Sequence, residues 1–416
     1  MIKKAYTNHK ETIHNFIWRA LQIGAKQGIV FLIFILCAKL LTPYDFGIYN
    51  YALAIVFLLI IFGDFGISTA TSKYVAEYNI TNKNKLKSIL FNSGIIILAL
   101  TIIVSILTII IGPWYLKDKY IYVIYLLPLI FLAPMTSLYD GIYRGLKKFK
   151  TLAIISTIIG IFSIPMVYFL VKQYGLIGAL IAQNLFYLVL LIGLAIGYRD
   201  FNFKFNKEVM KEIGHYSFIY GLAIIGNYLF IRFGILILGH YNYIEQIATY
   251  ELLNKIFFIV LLPFTMLGQV IAPNFTELQA KKRYKEIYKS LIDYTIVFFF
   301  IGIILGIIFY ILTPFIFKEF FNNYYNNLFF ELLPFLIIIF VTNVWAATID
   351  AGILVPTGHA NLMAKFYIIL GILGTILSLI LVNIVGYMGV IYSFTICSFL
   401  MAVGLRVIFF FNLSKN

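Results

Sequence analysis

The sequence has 416 residues, of which 62% are hydrophobic and only 12% are charged, and its formal net charge is +15. Soluble domains carry about 25% charged residues, so this composition excludes a soluble globular protein. The apolar runs are continuous, whereas the strands of a membrane β-barrel alternate apolar and polar residues. The chain is therefore predicted to be an all-α, polytopic membrane protein.

Apolar runs follow one another along almost the whole chain. A membrane-spanning helix needs about 20 mostly apolar residues. In chain order, we predict twelve spans at 16–40, 47–71, 89–112, 121–143, 152–171, 176–197, 213–238, 247–272, 291–313, 327–350, 364–385 and 389–411. The connections between these spans are short, so we expect no additional folded domain outside the membrane.

Basic residues are distributed unevenly among the predicted loops. If the N-terminus is cytoplasmic, most of the 32 lysines and arginines fall in loops on that side. Because positive loops stay on the cytoplasmic side, both termini are predicted to be cytoplasmic. The same distribution accounts for the net charge, so no nucleic-acid partner is expected.

The predicted spans form two groups of six, separated by the polar segment 198–212. We predict an N-terminal lobe at 1–205 and a C-terminal lobe at 206–416. Since each lobe holds an even number of spans, an axis along the membrane normal would relate them, which is a common plan in transporters.

Ionisable residues inside apolar spans are costly and usually face a cavity or a partner. In the first span, Arg19, Gln22 and Lys26 share one helix face. The alternative for Arg19 is that it extends its charge to the inner headgroups. Lys26 lies two turns deeper, so we predict that it faces the interior.

The second half repeats this pattern. Span seven carries Asn227 and Arg232, and span eight carries Glu251, Asn254 and Lys255 on one face. The structural alternative is an ion pair between Glu251 and Lys255 along one helix.

Two further charges lie near the ends of spans. Asp350 in span ten is predicted to support the polar interior, and Arg406 in span twelve is predicted to extend toward the cytoplasmic headgroups. The four interior cations, Arg19, Lys26, Arg232 and Lys255, would suit an anionic cargo such as a diphosphate or an acidic sugar.

Sequence motifs for catalysis are absent. The chain has no Walker loop, no HExxH, no Gly-x-Ser-x-Gly and no clustered metal ligands. We therefore predict a transporter, with no catalytic residue, bound metal or cofactor. A membrane glycan polymerase, the alternative from another class, would need a larger external loop for its acidic site.

One stretch identifies a family. The segment 40–78 contains Thr42-Pro43-Tyr44-Asp45-Phe46-Gly47, then Asp64-Phe65-Gly66, then Lys73-Tyr-Val-Ala-Glu-Tyr. This pattern resembles the Wzx-type polysaccharide-biosynthesis flippases of the multidrug/oligosaccharidyl-lipid/polysaccharide (MOP) superfamily. The resemblance continues more loosely in 143–149, 248–255 and 356–359.

The resemblance implies a MATE-like fold of two six-helix lobes around a central cavity. It also implies transport of an undecaprenyl-diphosphate-linked oligosaccharide across the bacterial inner membrane by alternating access. The expected partners are this lipid-linked glycan, H⁺ or Na⁺ as a coupling ion, and a polysaccharide polymerase with its chain-length regulator. The alternatives are a lipid II or teichoic-acid precursor flippase and a cation-coupled multidrug exporter.

The motif also gives Asp64 a role at the inner end of the second span. We expect this carboxylate to cap or latch the inner gate in place of contacting sugar.

Overall fold

The computed structural model describes residues 24–414, and this part of the chain is helical with no β-strand. The helices, numbered in chain order, are α1 at 24–40, α2 Pro43–Asp64, α3 Ile67–Thr81, α4 Lys83–Leu116, α5 Tyr120–Tyr125, α6 Leu129–Gly145, α7 Phe149–Gly197, α8 Lys207–His240, α9 Ile244–Ala280, α10 Tyr284–Phe320, α11 Asn327–Ile349, α12 Ala360–Val385 and α13 Tyr387–Ser414. The predicted all-α fold class is confirmed.

Within the described residues, the predicted spans fall largely on helical chain, although the helix boundaries differ in places; residues 16–23 of the first predicted span lie outside that range. The predicted span 121–143 is divided into α5 and α6 by a turn that includes Pro128. The spans 152–171 and 176–197 join end to end as α7, where Gly175 interrupts the helical geometry with φ +55°. Within the described residues, nine helices are long and apolar enough to cross a membrane, and α7 has the length of two spans. The chain is a multi-pass membrane protein.

The second span ends earlier than the hydropathy pattern predicts. Helix α2 ends at Asp64, and α3 begins at Ile67. Between the two helices, Phe65 and Gly66 have φ values of +41° and +82°. A Cβ atom on Gly66 would lie 3.0 Å from the carbonyl oxygen of Ser217 on α8. Glycine therefore satisfies both the left-handed backbone and the close approach of α8. The prediction of one continuous span at 47–71 is wrong beyond residue 64.

The chain divides into two compact units. Unit 1 contains the described residues up to Leu41 together with Ile48–Ile224. Unit 2 contains Thr42–Gly47 and the residues from Ile225 onward. Helix α8 thus contributes its first half to unit 1 and its second half to unit 2.

In unit 1, α3 packs closely against α6. Cβ atoms on Gly141 and Gly145 would lie 2.5 Å and 2.7 Å from the carbonyl oxygens of Ser68 and Ser72. Small residues four apart let two membrane helices approach to backbone contact. This contact fixes α3 beside a buried core that includes Ile142.

In unit 2, α9 crosses the end of α11 with similarly close contact. A Cβ atom on Gly268 would lie 2.9 Å from the carbonyl oxygen of Thr348, and one on Gly352 would lie 2.9 Å from that of Gly268. At this crossing, Asp350–Leu354 forms one turn of π-helix. Single π-turns of this kind frequently occur at functional sites. The turn holds Asp350 against the core of unit 2.

Candidate functional site

The candidate site lies in unit 2, where α8 and α9 carry an ion pair inside apolar helices. The Nη1 atom of Arg232 donates to Oε2 of Glu251 at 2.8 Å. The Glu251 side chain is 6% exposed, whereas the Arg232 side chain is 30% exposed. The carboxylate is therefore enclosed by protein, whereas the Arg232 side chain remains partly accessible. We call Arg232, Glu251 and Lys255 the open cluster.

Lys255 adds a second cation to this cluster. It lies one helical turn after Glu251, is half-buried, and interacts electrostatically with both Glu251 and Arg232. Its ammonium nitrogen also lies 5.9 Å from the centre of the Phe258 ring. Two cations against one carboxylate give the cluster a formal charge of +1. The arrangement favours an anion over a cation as a ligand.

Both helices of the open cluster carry further polar side chains. Asn227 precedes Tyr228 on α8, Asn254 precedes Lys255 on α9, and both asparagines are half-buried. The Arg232 guanidinium interacts electrostatically with the hydroxyl-bearing rings of Tyr228 and Tyr250. Tyrosine hydroxyls and carboxamides can each donate a hydrogen bond to an anionic ligand.

A second ion pair in unit 2 is closed to solvent. The Nη2 atom of Arg406 on α13 lies 3.0 Å from Oδ1 of Asp350, and the two side chains are 7% and 12% exposed. Arg406 also donates from Nη1 to the carbonyl oxygen of Ala402 at 2.5 Å, and its guanidinium lies 5.1 Å from the centre of the Trp345 ring. We call Asp350 and Arg406 the closed pair.

Among the predicted cations of the first span, only Lys26 lies within the described residues. Lys26 is an exposed side chain on α1 in unit 1, at a pocket that it lines with Ile29, Ser156 and Phe186 among others. Arg19 and Gln22 lie outside the described residues. The role of Lys26 in binding cargo stays a prediction.

Asp64 caps a helix. Its Oδ1 atom accepts hydrogen bonds from the backbone N–H of Ser68, at 3.1 Å, and from the Ser68 hydroxyl. These contacts satisfy a free donor in the first turn of α3, where a negative charge also complements the helix dipole. Asp64 is placed to fix the bend between α2 and α3.

The structure adds partners that sequence reasoning missed. Tyr228 lies four residues before Arg232, so helical spacing alone could have placed the two on one face. Arg406 was expected to extend toward the headgroups, and that prediction is wrong because its guanidinium is buried against Asp350. No periodicity signal could have found that pairing, since the two residues lie on different helices.

A metal site is not apparent in the described range. Between residues 24 and 414, no three His, Cys, Asp or Glu side chains converge so as to hold a metal ion.

Sequence comparison gives a family. The profile of the family described as polysaccharide biosynthesis protein matches residues 12–279. Comparison with curated protein sequences finds no significant match.

Solved structures with the same fold cover nearly the whole chain. One is a multidrug resistance MATE family transporter of the MOP superfamily in an inward-facing conformation, with 14% identity, 96% coverage of both chains and a TM-score of 0.76. Another is the lipid II flippase MurJ in an inward closed conformation, with 18% identity, coverage of 95% of this chain and 86% of that chain, and a TM-score of 0.71.

A third is a MOP superfamily transporter from Pyrococcus furiosus, described as having a binding pocket of reverse polarity, with 14% identity, coverage of 98% and 97% and a TM-score of 0.56. Identities this low establish the fold alone, whereas the family profile matches more than half of the sequence. The chain has the fold of these MOP superfamily proteins, and it belongs to the polysaccharide biosynthesis protein family.

Proposed function

We propose that this protein is a flippase for undecaprenyl-diphosphate-linked oligosaccharides. Its cargo would be a repeat unit of O-antigen, capsule or a related surface polysaccharide, moved from the cytoplasmic to the periplasmic leaflet of the bacterial inner membrane. The observation that carries this proposal is the excess positive charge of the open cluster, held within membrane-spanning helices by Arg232 and Lys255.

A diphosphate is the part of such a cargo that the lipid bilayer opposes most strongly. Charges in a low-dielectric interior interact several-fold more strongly than in water, so a fixed cation there lowers the cost of passage. A guanidinium can donate two parallel hydrogen bonds to phosphate oxygens, and this is the role we assign to the partly exposed Arg232 side chain. Glu251 holds that guanidinium in place and keeps the net charge at +1, which limits how tightly the anion is retained.

The transport cycle that we propose is alternating access between the lobes 1–205 and 206–416. Both termini would be cytoplasmic, in keeping with the distribution of lysine and arginine. The chain would act as a transporter and not as an enzyme, coupled to H⁺ or Na⁺, and would deliver its cargo to a polysaccharide polymerase and a chain-length regulator.

A second candidate is transport of lipid II or a teichoic-acid precursor, which is favoured by the structural similarity to a lipid II flippase. These cargoes also carry phosphate on a polyprenyl lipid, so the open cluster would serve them equally. A multidrug exporter of cationic compounds is disfavoured, because the formal charge of the open cluster would repel them.

The test is to replace Lys26, Arg232 and Lys255 with glutamine in a host that depends on this protein for surface polysaccharide. We expect surface polysaccharide to disappear while the protein remains in the membrane. Glutamine at the exposed Lys117, Lys172 and Lys318 is the matched control and should leave export intact. Normal surface polysaccharide in the first triple variant would contradict the proposal.

The same host can separate the cargo classes. A strain depleted of its lipid II flippase should not be rescued by this protein if the cargo is a surface-polysaccharide unit. Rescue of growth would instead favour lipid II.

A further inference from the structure

The motif Lys73-Tyr-Val-Ala-Glu-Tyr lies on α3 in unit 1, and the proposed transport site in unit 2 leaves it unexplained. In unit 1, this motif faces the first half of α8, so that two pairs of tyrosines come together. Tyr74 and Tyr78 stack with ring centres 5.6 Å apart, and Tyr216 and Tyr220 stack with centres 6.4 Å apart. Tyr74 meets Tyr216 edge to face at 6.2 Å, which joins the two pairs.

Lys73 lies where the two helices meet. Its ammonium nitrogen is 4.3 Å from the centre of the Tyr216 ring and 4.7 Å from that of Tyr74. Such cation–π contacts orient a lysine without neutralising its charge. Its side chain is exposed, and among the described residues it forms no ion pair within 4 Å, although Glu212 on α8 is near enough to interact with it electrostatically. We call Lys73, Tyr74, Tyr216 and Tyr220 the platform.

Neighbouring contacts hold the platform rigid. The Tyr78 hydroxyl donates to Glu212, and Lys85 pairs with the same carboxylate at 3.2 Å. A Cβ atom on Gly221 would lie 2.8 Å from Phe65, so α8 also packs directly against the bend that precedes α3. A preorganised surface loses little conformational entropy when it binds a ligand.

The exposed parts of the platform combine two chemistries. Tyr220 is 43% exposed and offers an aromatic face, onto which the polarised C–H groups of a sugar ring can pack. The Lys73 ammonium can donate hydrogen bonds to a phosphate or a carboxylate. Aromatic faces beside an exposed lysine match a sugar that is joined to an anionic group.

The platform also lies toward the end of the bundle that is rich in basic residues. Helix α3 continues beyond the apolar helix α2 and leads directly to Lys83 at the start of α4. Helix α8 starts at Lys207, in another of the basic connections. The positive-inside rule assigns this end to the cytoplasm, which is where a lipid-linked glycan is assembled before transport.

We propose that the platform is an entry site that binds the sugar-phosphate headgroup of the lipid-linked glycan before it reaches the open cluster. The proposal rests on the proposed flippase function and adds a second binding site to it. Lys73 would bind the phosphate, and Tyr216 with Tyr220 would pack against the first sugar. An anionic phospholipid headgroup shares the phosphate chemistry but lacks the sugar ring.

The experiment uses the full chain in phosphatidylcholine nanodiscs, with R232Q and K255Q present so that the open cluster does not mask weaker binding. The probes are radiolabelled undecaprenyl diphosphate bearing one N-acetylhexosamine, the same lipid without sugar, and phosphatidylglycerol as a competitor. In this background, we compare K73Q, K73R, Y216L and Y220L. The matched control is K172Q, because Lys172 makes a similar contact with Tyr168 at 5.6 Å on α7.

We expect K73Q to weaken binding of both undecaprenyl lipids about tenfold, which corresponds to about 1.4 kcal/mol. Y216L and Y220L should weaken the sugar-bearing lipid about fivefold and the sugar-free lipid less than twofold, since only the former offers a sugar to the rings. K73R should bind as the parent does, and K172Q should have no effect. Thermal unfolding of each variant shows whether the fold is retained. K73R and Y220L alter exposed side chains, so they remain informative if Y216L unfolds.

Several outcomes would overturn the entry site. The entry site would be refuted if the parent did not bind the lipids, or if K73Q and Y220L bound them as well as the parent does. It would also be refuted if phosphatidylglycerol competed as well as the sugar-bearing lipid. Wild-type protein that binds neither undecaprenyl lipid would overturn the flippase function together with the site. Binding by the wild type, together with binding by the R232Q/K255Q parent that survives every platform substitution, would overturn the entry site alone.

Discussion

The open cluster and the closed pair both lie in unit 2, and each joins an arginine to a carboxylate. They differ in how far the arginine side chain is exposed. The Arg232 side chain is 30% exposed, whereas that of Arg406 is 7% exposed. The closed pair balances one cation with one anion, while the open cluster adds Lys255 to its ion pair. An intramembrane charge is therefore not by itself a sign of cargo binding. Accessibility and a net charge distinguish a site that can bind a ligand from one that holds helices together.

The first prediction concerns the closed pair and has the largest expected effect. Asp350→Ala leaves the Arg406 guanidinium buried without its counter-charge, which typically costs about 3–5 kcal/mol. We expect a large fall in the thermal unfolding temperature of the purified protein.

The double variant D350L/R406M should recover much of this loss, because an apolar pair of similar volume removes both desolvated charges. If the single variant were as stable as the wild type, the closed pair would not have the structural role assigned to it.

In the open cluster, Arg232→Met should destabilise the fold less, by about 1–3 kcal/mol, because it removes a hydrogen-bond partner but leaves Lys255 to offset Glu251. Export of surface polysaccharide should fall by more than tenfold, a loss that exceeds what the stability change predicts. Measurements of thermal unfolding and of export on the same variant test both expectations. A loss of stability as large as that of Asp350→Ala would show that the open cluster and the closed pair do not differ in structural role.

Glu251→Gln would sharpen the comparison by raising the formal charge of the open cluster from +1 to +2. We expect undecaprenyl diphosphate to bind about tenfold more tightly, since each additional charge near a diphosphate strengthens the attraction. Export should become slower, because release is opposed by the same attraction. Glu245→Gln, at an exposed position near the start of α9, is the control and should change neither quantity. Weaker binding by the Glu251 variant would instead assign this carboxylate to orienting Arg232.

The smallest expected effect concerns His359, which precedes α12 and contacts the Phe409 ring at 4.6 Å between centres. Burial lowers the pKa of His359 below its ordinary value of about 6.5, although the Thr357 backbone partly opposes this. The unfolded chain binds the proton more tightly, so the stabilisation is present above about pH 6.5 and is lost as the pH falls below it.

We therefore expect the unfolding temperature to fall slightly more between pH 7.5 and pH 5 in the wild type than in His359→Gln. Identical pH dependence in the two proteins would show that water reaches this side of unit 2 freely.

Much of the fold could be predicted from continuous apolar runs, because a helix is the simplest way to satisfy backbone hydrogen bonds in lipid. The predicted span 47–71 does not stop at the bend that follows Asp64, because the residues after it, beginning with Ile67, extend the apolar pattern. Gly66 is evident in the sequence. The close approach of Ser217 is what requires a left-handed glycine there, and that approach depends on tertiary packing.

The candidate site was predictable in composition but not in pairing. Arg232, Glu251 and Lys255 stood out as charges in apolar spans, and spacing along α9 favoured a Glu251–Lys255 pair. The structure shows Glu251 bonded across helices to Arg232. Periodicity shows which residues share a face of one helix, whereas the rotation of neighbouring helices decides which faces meet.

The segment Thr42–Gly47, which begins helix α2, has a consequence for biogenesis. Although it is made early, it packs within unit 2: a Cβ atom on Gly47 would clash with the carbonyl oxygen of Ile244, and Phe46 packs edge to face on Tyr324 at 6.1 Å. Both partners emerge from the ribosome roughly 200 or more residues later, whereas domains generally fold as they are synthesised. The start of α2 therefore reaches its packed position only after Ile244 and Tyr324 have been synthesised.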